Sequence, residues 1–336
     1  MKAVTPVIAL VMLMLITVGM VGTAYTFVSS SFNSKISNVF SVIYSLQNTV
    51  IIRNDGTQPI TSFTATLDGN QENMVIMPGI SGLVAYWGFN DGAGTVAKDS
   101  QGATNFEIRN LVTWVSGKFG KAVKIDETVD AGCINQDAGV FTDSIPALIQ
   151  SLPQNSFTQS WWNYLPVNSG STRVHMASVV VPGCGVCSVW NMINKVEART
   201  VSGGVSDMLY TMPSANAWHH MAYVFDKPNL RHKFYIDGEL VADNPLVNGD
   251  YGTVQWLAVG VYNPNCVDAI PGAIYDEYGI YNRALGVDEI KKLYSSASIE
   301  PGKTATLKPL TTLSAGKHTL VLCTANACNT VILTVT

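Results

Sequence analysis

Between Lys2 and Lys35 the sequence carries no charged side chain, and from residue 4 to residue 28 it is almost wholly apolar. As a helix rising about 1.5 Å per residue, this run is long enough to cross a hydrocarbon core of about 30 Å. The chain is therefore expected to open with a membrane-grade helix. A secretory signal peptide is the competing reading, with Lys2 as its basic region and Gly22 and Ala24 ahead of a cut before Tyr25. The run exceeds the roughly 7–15 apolar residues of such a signal. Its apolar spacing also continues through Phe32, Ile36, Val39, Phe40, Ile43 and Leu46, with Ser, Asn and Lys between them. The helix is expected to run to residue 47, leaving the membrane as an amphipathic rod.

Residues 2–9, KAVTPVIA, resemble the start of archaeal type IV pilins. The resemblance implies cleavage between Ala3 and Val4. It also implies a helix that first waits in the bilayer and then packs against its copies in a filament core. Pro6 would sit in the first helical turn, where its missing N–H costs nothing. Ile8, Leu10, Leu13 and Ile16 would face neighbouring helices, with Gly19 and Gly22 allowing close approach. A plain membrane anchor that never assembles remains the third reading of this segment.

At 336 residues the chain is long enough for two folded units beyond that helix. A net charge of −4 without any basic run argues against a nucleic-acid partner. Six cysteines fit an oxidising exterior. The sequence contains no Asn-x-Ser/Thr sequon.

After residue 47 the pattern turns to strands. Residues 49–53 and 60–67 alternate, with turns at Asn54-Asp55-Gly56 and Asp68-Gly69. Residues 299–336 alternate in the same way, with turns at Pro301-Gly302 and Ala315-Gly316. The two stretches resemble the halves of the small β-sandwich head of archaeal pilins. A head split this way implies an insertion at a loop whose ends lie close together. The expected division is a leader at 1–3, the helix at 4–47, head segments at 48–79 and 299–336, and an insert at 80–298.

The insert carries its own run of words: GLVAYWGFNDGAG at 82–94, KDSQG at 98–102, GKFGKAVKID at 117–126, FTQSWW at 157–162, WHHMA at 218–222, FYIDG at 234–238 and IYDEYGIYNRAL at 274–285. Their order resembles a laminin-G-like, concanavalin A-like jelly roll. Short alternating strands between Gly, Asn and Asp turns favour a β-sandwich without that resemblance. Residues 287–294 are the one helix expected in this lobe. The fold class is thus expected to be mainly β with one long N-terminal helix, a small sandwich head being split by the jelly roll.

Few residues suggest chemistry. Glycoside cleavage needs two carboxyl groups roughly 5–9.5 Å apart, whereas Asp276 and Glu277 are neighbours expected on opposite faces of a strand. No enzyme activity is expected. His219 and His220 should diverge likewise, one inward and one toward solvent. Trp87, Trp162 and Trp218 fall within strand patterns and read as core. Cys323 and Cys328 flank a hairpin tip within disulfide reach. Cys133, Cys184, Cys187 and Cys266 could hold zinc but are expected to form two disulfides, in any of three connectivities. The laminin-G-like resemblance implies calcium at Asp99, Asn105 and Asp276, against the plain reading of Asp99 as a turn cap; no other cofactor is expected.

These readings combine into a surface protein that polymerises with its copies as a type IV pilus-like filament and displays a lectin-like lobe for adhesion. Its expected partners are its own copies, the membrane before assembly, and a glycan or other cell-surface ligand. The alternative is a membrane-anchored carbohydrate-binding protein that never polymerises.

Overall fold

The computed structural model describes residues 37–61, 63–126, 139–167, 174–178, 188–192, 195–199, 205–245, 252–263, 266–267, 270–295 and 298–336. Ala3, Val4, Pro6, Ile8, Leu10, Leu13, Ile16, Gly19 and Gly22, with the cleavage and filament roles assigned to them, lie outside these residues. So do Cys133, Cys184 and Cys187.

The expected fold class needs correction. The described residues are nearly all β, and their longest helix, Val287–Ser295, has 9 residues. Among them no helix is long and apolar enough to cross a membrane. Where the helix was expected to continue to residue 47, the strand Phe40–Leu46 stands instead, paired antiparallel with Thr49–Asn54. Valine, isoleucine and tyrosine suit a pleated surface, and the turn at Gln47, whose φ is 50°, folds the strand onto its neighbour. Sheet pairing thus overrides a three-and-four spacing of apolar residues.

Residues from both ends of the chain build a small sandwich. One sheet runs Phe40–Leu46, Thr49–Asn54, Thr304–Pro309 and Met74–Met77. The other runs Cys328–Val335, Gly316–Cys323, Thr64–Leu67 and Asn70–Glu72. The strand Thr304–Pro309 lies between two strands from the first eighty residues, so neither end completes the sheet alone. Val50, Ile52, Leu307, Leu320, Leu322 and Leu333 fill the core. Asn54, fully buried, donates to the carbonyls of Gln58 and Ile299 and so ties the first segment to the returning chain.

Between these segments stand two further antiparallel sheets. The first runs Glu239–Pro245, Arg231–Ile236, Trp218–Asp226, Phe157–Tyr164, Ala273–Tyr281, Lys121–Ile125 and Val112–Ser116. Leu83–Trp87 pairs with the later half of Ala273–Tyr281. The second runs Val205–Leu209, Lys195–Arg199, Ser188–Met192, Val174–Ser178, Val254–Val259, Val140–Thr142, Phe106–Ile108 and Val96–Ala97. Aromatic rings fill the space between them: Trp87 stacks on Tyr278 at 5.4 Å, and Phe157 meets Tyr223 and Phe225. At one edge the sheets are stitched together, with Ser206 Oγ 2.8 Å from His232 Nε2 and Asn244 donating to the Asp207 carbonyl.

The helix Val287–Ser295 covers the outer face of the first large sheet, packing Ile290 and Leu293 against Ala222, Val224, Tyr235 and Tyr281. Glu289 fixes its start by accepting from the Gly286 N–H and pairing with Arg283. The small sandwich docks beside it. There Lys308 donates to the Ser100 carbonyl, and Lys292 Nζ donates to the Gly79 carbonyl at 2.9 Å.

Candidate functional site

Four residues that attracted a chemical reading in the sequence, Trp162, His220, Asp276 and Glu277, meet with Ser160 on the face beneath that helix. Ser160 and Trp162 come from Phe157–Tyr164, His220 from Trp218–Asp226, and Asp276 and Glu277 from Ala273–Tyr281. The expectation that Asp276 and Glu277 diverge does not hold. The register between Phe157–Tyr164 and Ala273–Tyr281 shifts between Ser160 and Trp162, and Glu277 takes a φ of 55°. This is a bulge, which places two residues opposite one. Tyr275 and Tyr278 both enter the core, and the two carboxyl groups between them emerge on the same side.

Sharing a face does not make them a hydrolytic pair. Asp276 is fully buried and accepts from the backbone N–H groups of Lys118, Phe119 and Glu277. Burial raises its carboxyl well above the usual range, against those three donors. Glu277 is likewise raised by burial. Half-buried, it lines a partly open cavity of about 30 Å³ with Ser160, Trp162, His220 and Tyr281, which Ile76 and Pro78 of the small sandwich also border. Such a space holds a water molecule or two, not a sugar ring.

Ser160 Oγ lies 2.8 Å from His220 Nε2, the spacing of a nucleophile and its base. Yet His220 Nδ1 has no hydrogen-bond partner to orient the ring, and burial pushes its pKa down to about 3. The pair is a neutral, buried contact. Trp162 completes the layer, with Lys118 Nζ 4.4 Å from its ring centre and Tyr294 stacked at 5.7 Å. Trp87 and Trp162 are buried and Trp218 is half-buried. His219 turns to the rim, its Nδ1 2.7 Å from Asp237 Oδ2.

The residues assigned to calcium do not fit the ion. Asp99 accepts from the N–H groups of Tyr86, Gln101, Ala103 and Thr104, and its own N–H donates to Asn105 Oδ1. Burial pushes Asp99 up to about 6 despite those bonds. Carboxylate oxygens surrounded by N–H donors present no free lone pairs to a cation. Asp276 spends its oxygens on a different loop. Among the described residues no group of three or more His, Cys, Asp or Glu could hold a metal. Cys323 and Cys328, directly opposed in the last hairpin, form a disulfide. Cys266 begins the short strand Cys266–Val267.

A different surface carries accessible polar chemistry. Along Lys195–Arg199 the odd positions are charged, while Val196 and Ala198 enter the core. Lys195 Nζ bridges Glu197 Oε2 at 2.9 Å and Asp207 Oδ2 at 3.0 Å, and Arg199 Nε donates to Glu197 Oε1 at 2.5 Å. Burial pushes the Glu197 carboxyl up, but hydrogen bonds from Lys195 and Arg199 hold it below the usual range; Glu197 and Asp207 in turn raise Lys195. The side chains of Arg199 and Asp207 are 36% and 39% exposed, and Leu209 beside them is 70% exposed. Positions His175, Trp190, Glu197 and Asp207 stand in one register row across four strands. Sequence reading passed over this stretch, although charge at every second residue of 195–199 signals a strand with one solvated face.

Comparison with known proteins bears on the larger lobe. A laminin G-type family model, described as the Concanavalin A-like lectin/glucanases superfamily, matches residues 137–291. Similar solved structures include the binding domain of Paraclostridial Mosquitocidal Protein 1, at 16% identity and a TM-score of 0.46, covering 64% of this chain and 52% of that one. The binding domain of botulinum neurotoxin serotype G gives 13% identity and 0.49, covering 64% and 51%. Trypanosoma rangeli sialidase in complex with sialic acid gives 14% and 0.49, covering 66% and 34%. The chain thus spans about half the length of the two binding domains and a third of the sialidase. No curated relative matches the sequence. The family match and the two large antiparallel sheets identify a concanavalin A-like, laminin G-like jelly-roll lobe within the chain.

Proposed function

We propose that the chain is a surface-exposed binding protein whose jelly-roll lobe holds carbohydrate on the charged face formed by Lys195–Arg199 and Val205–Leu209, without cleaving it. The carrying observation is the ladder in which buried Glu197 holds Lys195 and Arg199, and Lys195 holds Asp207, leaving Arg199 and Asp207 as its exposed members. Fixed carboxylate and guanidinium groups hydrogen-bond to neighbouring hydroxyls at known spacing, as polar groups in ligand sites do. The lectin description of the family supports the ligand class by analogy. Isothermal titration of a bound glycan tests the assignment. Arg199→Ala and Asp207→Ala should each weaken binding about tenfold with melting unchanged; variants that bind like the parent would remove this face from the account.

A finer reading is supported by the sequence at residues 2–9 and by the interleaving of 40–77 with 304–335, the arrangement an insertion into a small head produces. In it, 80–298 is an insert between head segments 299–336 and 48–79, the latter extended back to the strand Phe40–Leu46. Copies of the chain, cut after Ala3, assemble into a type IV pilus-like filament through the apolar stretch 4–28, outside the cell. N-terminal sequencing and electron microscopy test this reading. A mature end at Val4, and loss of filaments on Ala3→Leu, are expected; a mature end at Tyr25 would overturn it. An uncut Met1 would leave the anchored, non-polymerising alternative.

A further inference from the structure

A groove of about 550 Å³ lies where the small sandwich meets the end of the helix Val287–Ser295. Its floor is the outer face of the sheet containing Thr304–Pro309. There Ile51, Thr306 and Met77 stand in one register row across three strands. Part of that face is already used, because fully buried Val75 turns toward Gly88 and Lys308 reaches Ser100. The groove is the remainder.

Its rim carries two lysines against one glutamate, a net single positive charge, with Lys292 Nζ also donating to the Gly79 carbonyl. Lys292 comes from the helix and Lys303 from the turn after Pro301-Gly302; the carboxylate in the lining, Glu300, accepts from Ser298 Oγ. No aromatic ring lines it among the described residues, so the stacking platform expected for a sugar is missing. An apolar floor with positive charge at one side suits a ligand with an apolar tail and an anionic head. The volume falls within the roughly 300–1,000 Å³ of small-molecule sites, which occur preferentially between domains.

We propose that this groove binds a long-chain carboxylate, its hydrocarbon tail along Ile51 and Met77 and its head at Lys303 and Lys292. The site is separate from the charged face of the jelly roll and stands or falls independently of it. The test is calorimetric titration of the intact chain with decanoate, dodecanoate and tetradecanoate below their micellar concentrations, and with the alcohols of the same lengths.

Affinity should rise about tenfold for each added pair of methylenes that the groove buries, and each carboxylate should bind about tenfold tighter than its alcohol. Lys303→Ala, at an exposed position, should erase the preference for carboxylate while leaving alcohol binding in place. Thr304→Trp, also exposed, should block both ligands. Affinity independent of tail length, a carboxylate preference that survives Lys303→Ala, undiminished binding by the Thr304→Trp chain, or no binding at all would each overturn the proposal.

Discussion

His220 and His232 are carried into the fold as neutral rings, and that choice sets how the protein responds to acid. Burial pushes His220 down to about 3 and His232 down to about 4. The unfolded chain takes up both protons near 6.5. The stability these rings contribute is therefore complete above about pH 6.5 and is lost as pH falls toward 4 and then 3, at about 1.4 kcal/mol per pH unit for each ring. Asp99, pushed up to about 6, acts in the opposite sense: its contribution is largest at low pH and is lost as pH rises through 6. Urea denaturation between pH 4 and 6.5 should show a shallower acid loss for His220→Gln than for the parent. His318 sits on the other side of the scale, raised by its hydrogen bond to Asp68. Imidazole titration by NMR should place it above 6.5, with His220 silent until about 3. Two turns share this histidine device. Asp68-Gly69 and Asp237-Gly238 both have positive φ at each residue, and each aspartate accepts from a neighbouring N–H and from a histidine 2.7 Å away. The turns were legible as Asp-Gly pairs. Their histidine partners were not, because His318 is 250 residues from Asp68.

Glycines show where elements are held at close range. A Cβ on Gly117 would lie 2.5 Å from Asp276 Oδ2 and 2.8 Å from the Lys121 carbonyl oxygen, whereas one on Gly286 would have no neighbour closer than 3.9 Å. Gly117→Ala should cost about 1–3 kcal/mol in denaturant unfolding, and Gly286→Ala within about 0.5 kcal/mol. The same loop explains the fate of Asp276, whose carboxylate holds Lys118 and Phe119 in place. Alternation of apolar residues made strands such as Thr49–Asn54 and Gly316–Cys323 readable, while Phe157–Tyr164 and Ala273–Tyr281 were placed by their resemblance to a laminin-G-like lobe. A bulge leaves no mark in the sequence, so the period-two rule for strand neighbours sent Asp276 and Glu277 to opposite faces. The strand Phe40–Leu46 failed differently. Phe40, Ile43 and Leu46 are spaced as on a helix, yet in the sheet Phe40 is buried while Ile43 and Leu46 are 46% and 65% exposed. Only pairing with Thr49–Asn54 decides between the two.

At the scale of the molecule, the chain closes on itself before its small sandwich exists. Thr304–Pro309 must enter between Thr49–Asn54 and Met74–Met77, so a chain ending at residue 298 should leave that sandwich unformed. Circular dichroism should then show the loss of its strands with the jelly roll retained, and loss of the jelly roll as well would show that the two bodies fold only together. The jelly roll's composition and turns announced its architecture. The binding face proposed for it drew no notice in the sequence, because the conspicuous residues, His220, Trp162, Asp276 and Glu277, are spent on joining sheet, helix and second sandwich. The proposal rests instead on the unremarkable ladder at Lys195, Glu197, Arg199 and Asp207. The most direct test is a glycan array probed with the folded chain and with its Arg199→Ala/Asp207→Ala double variant. Retention of a defined set of glycans by the parent, and of none by an equally folded variant, is predicted; no retention by the parent, or the same set retained by both, would contradict the account.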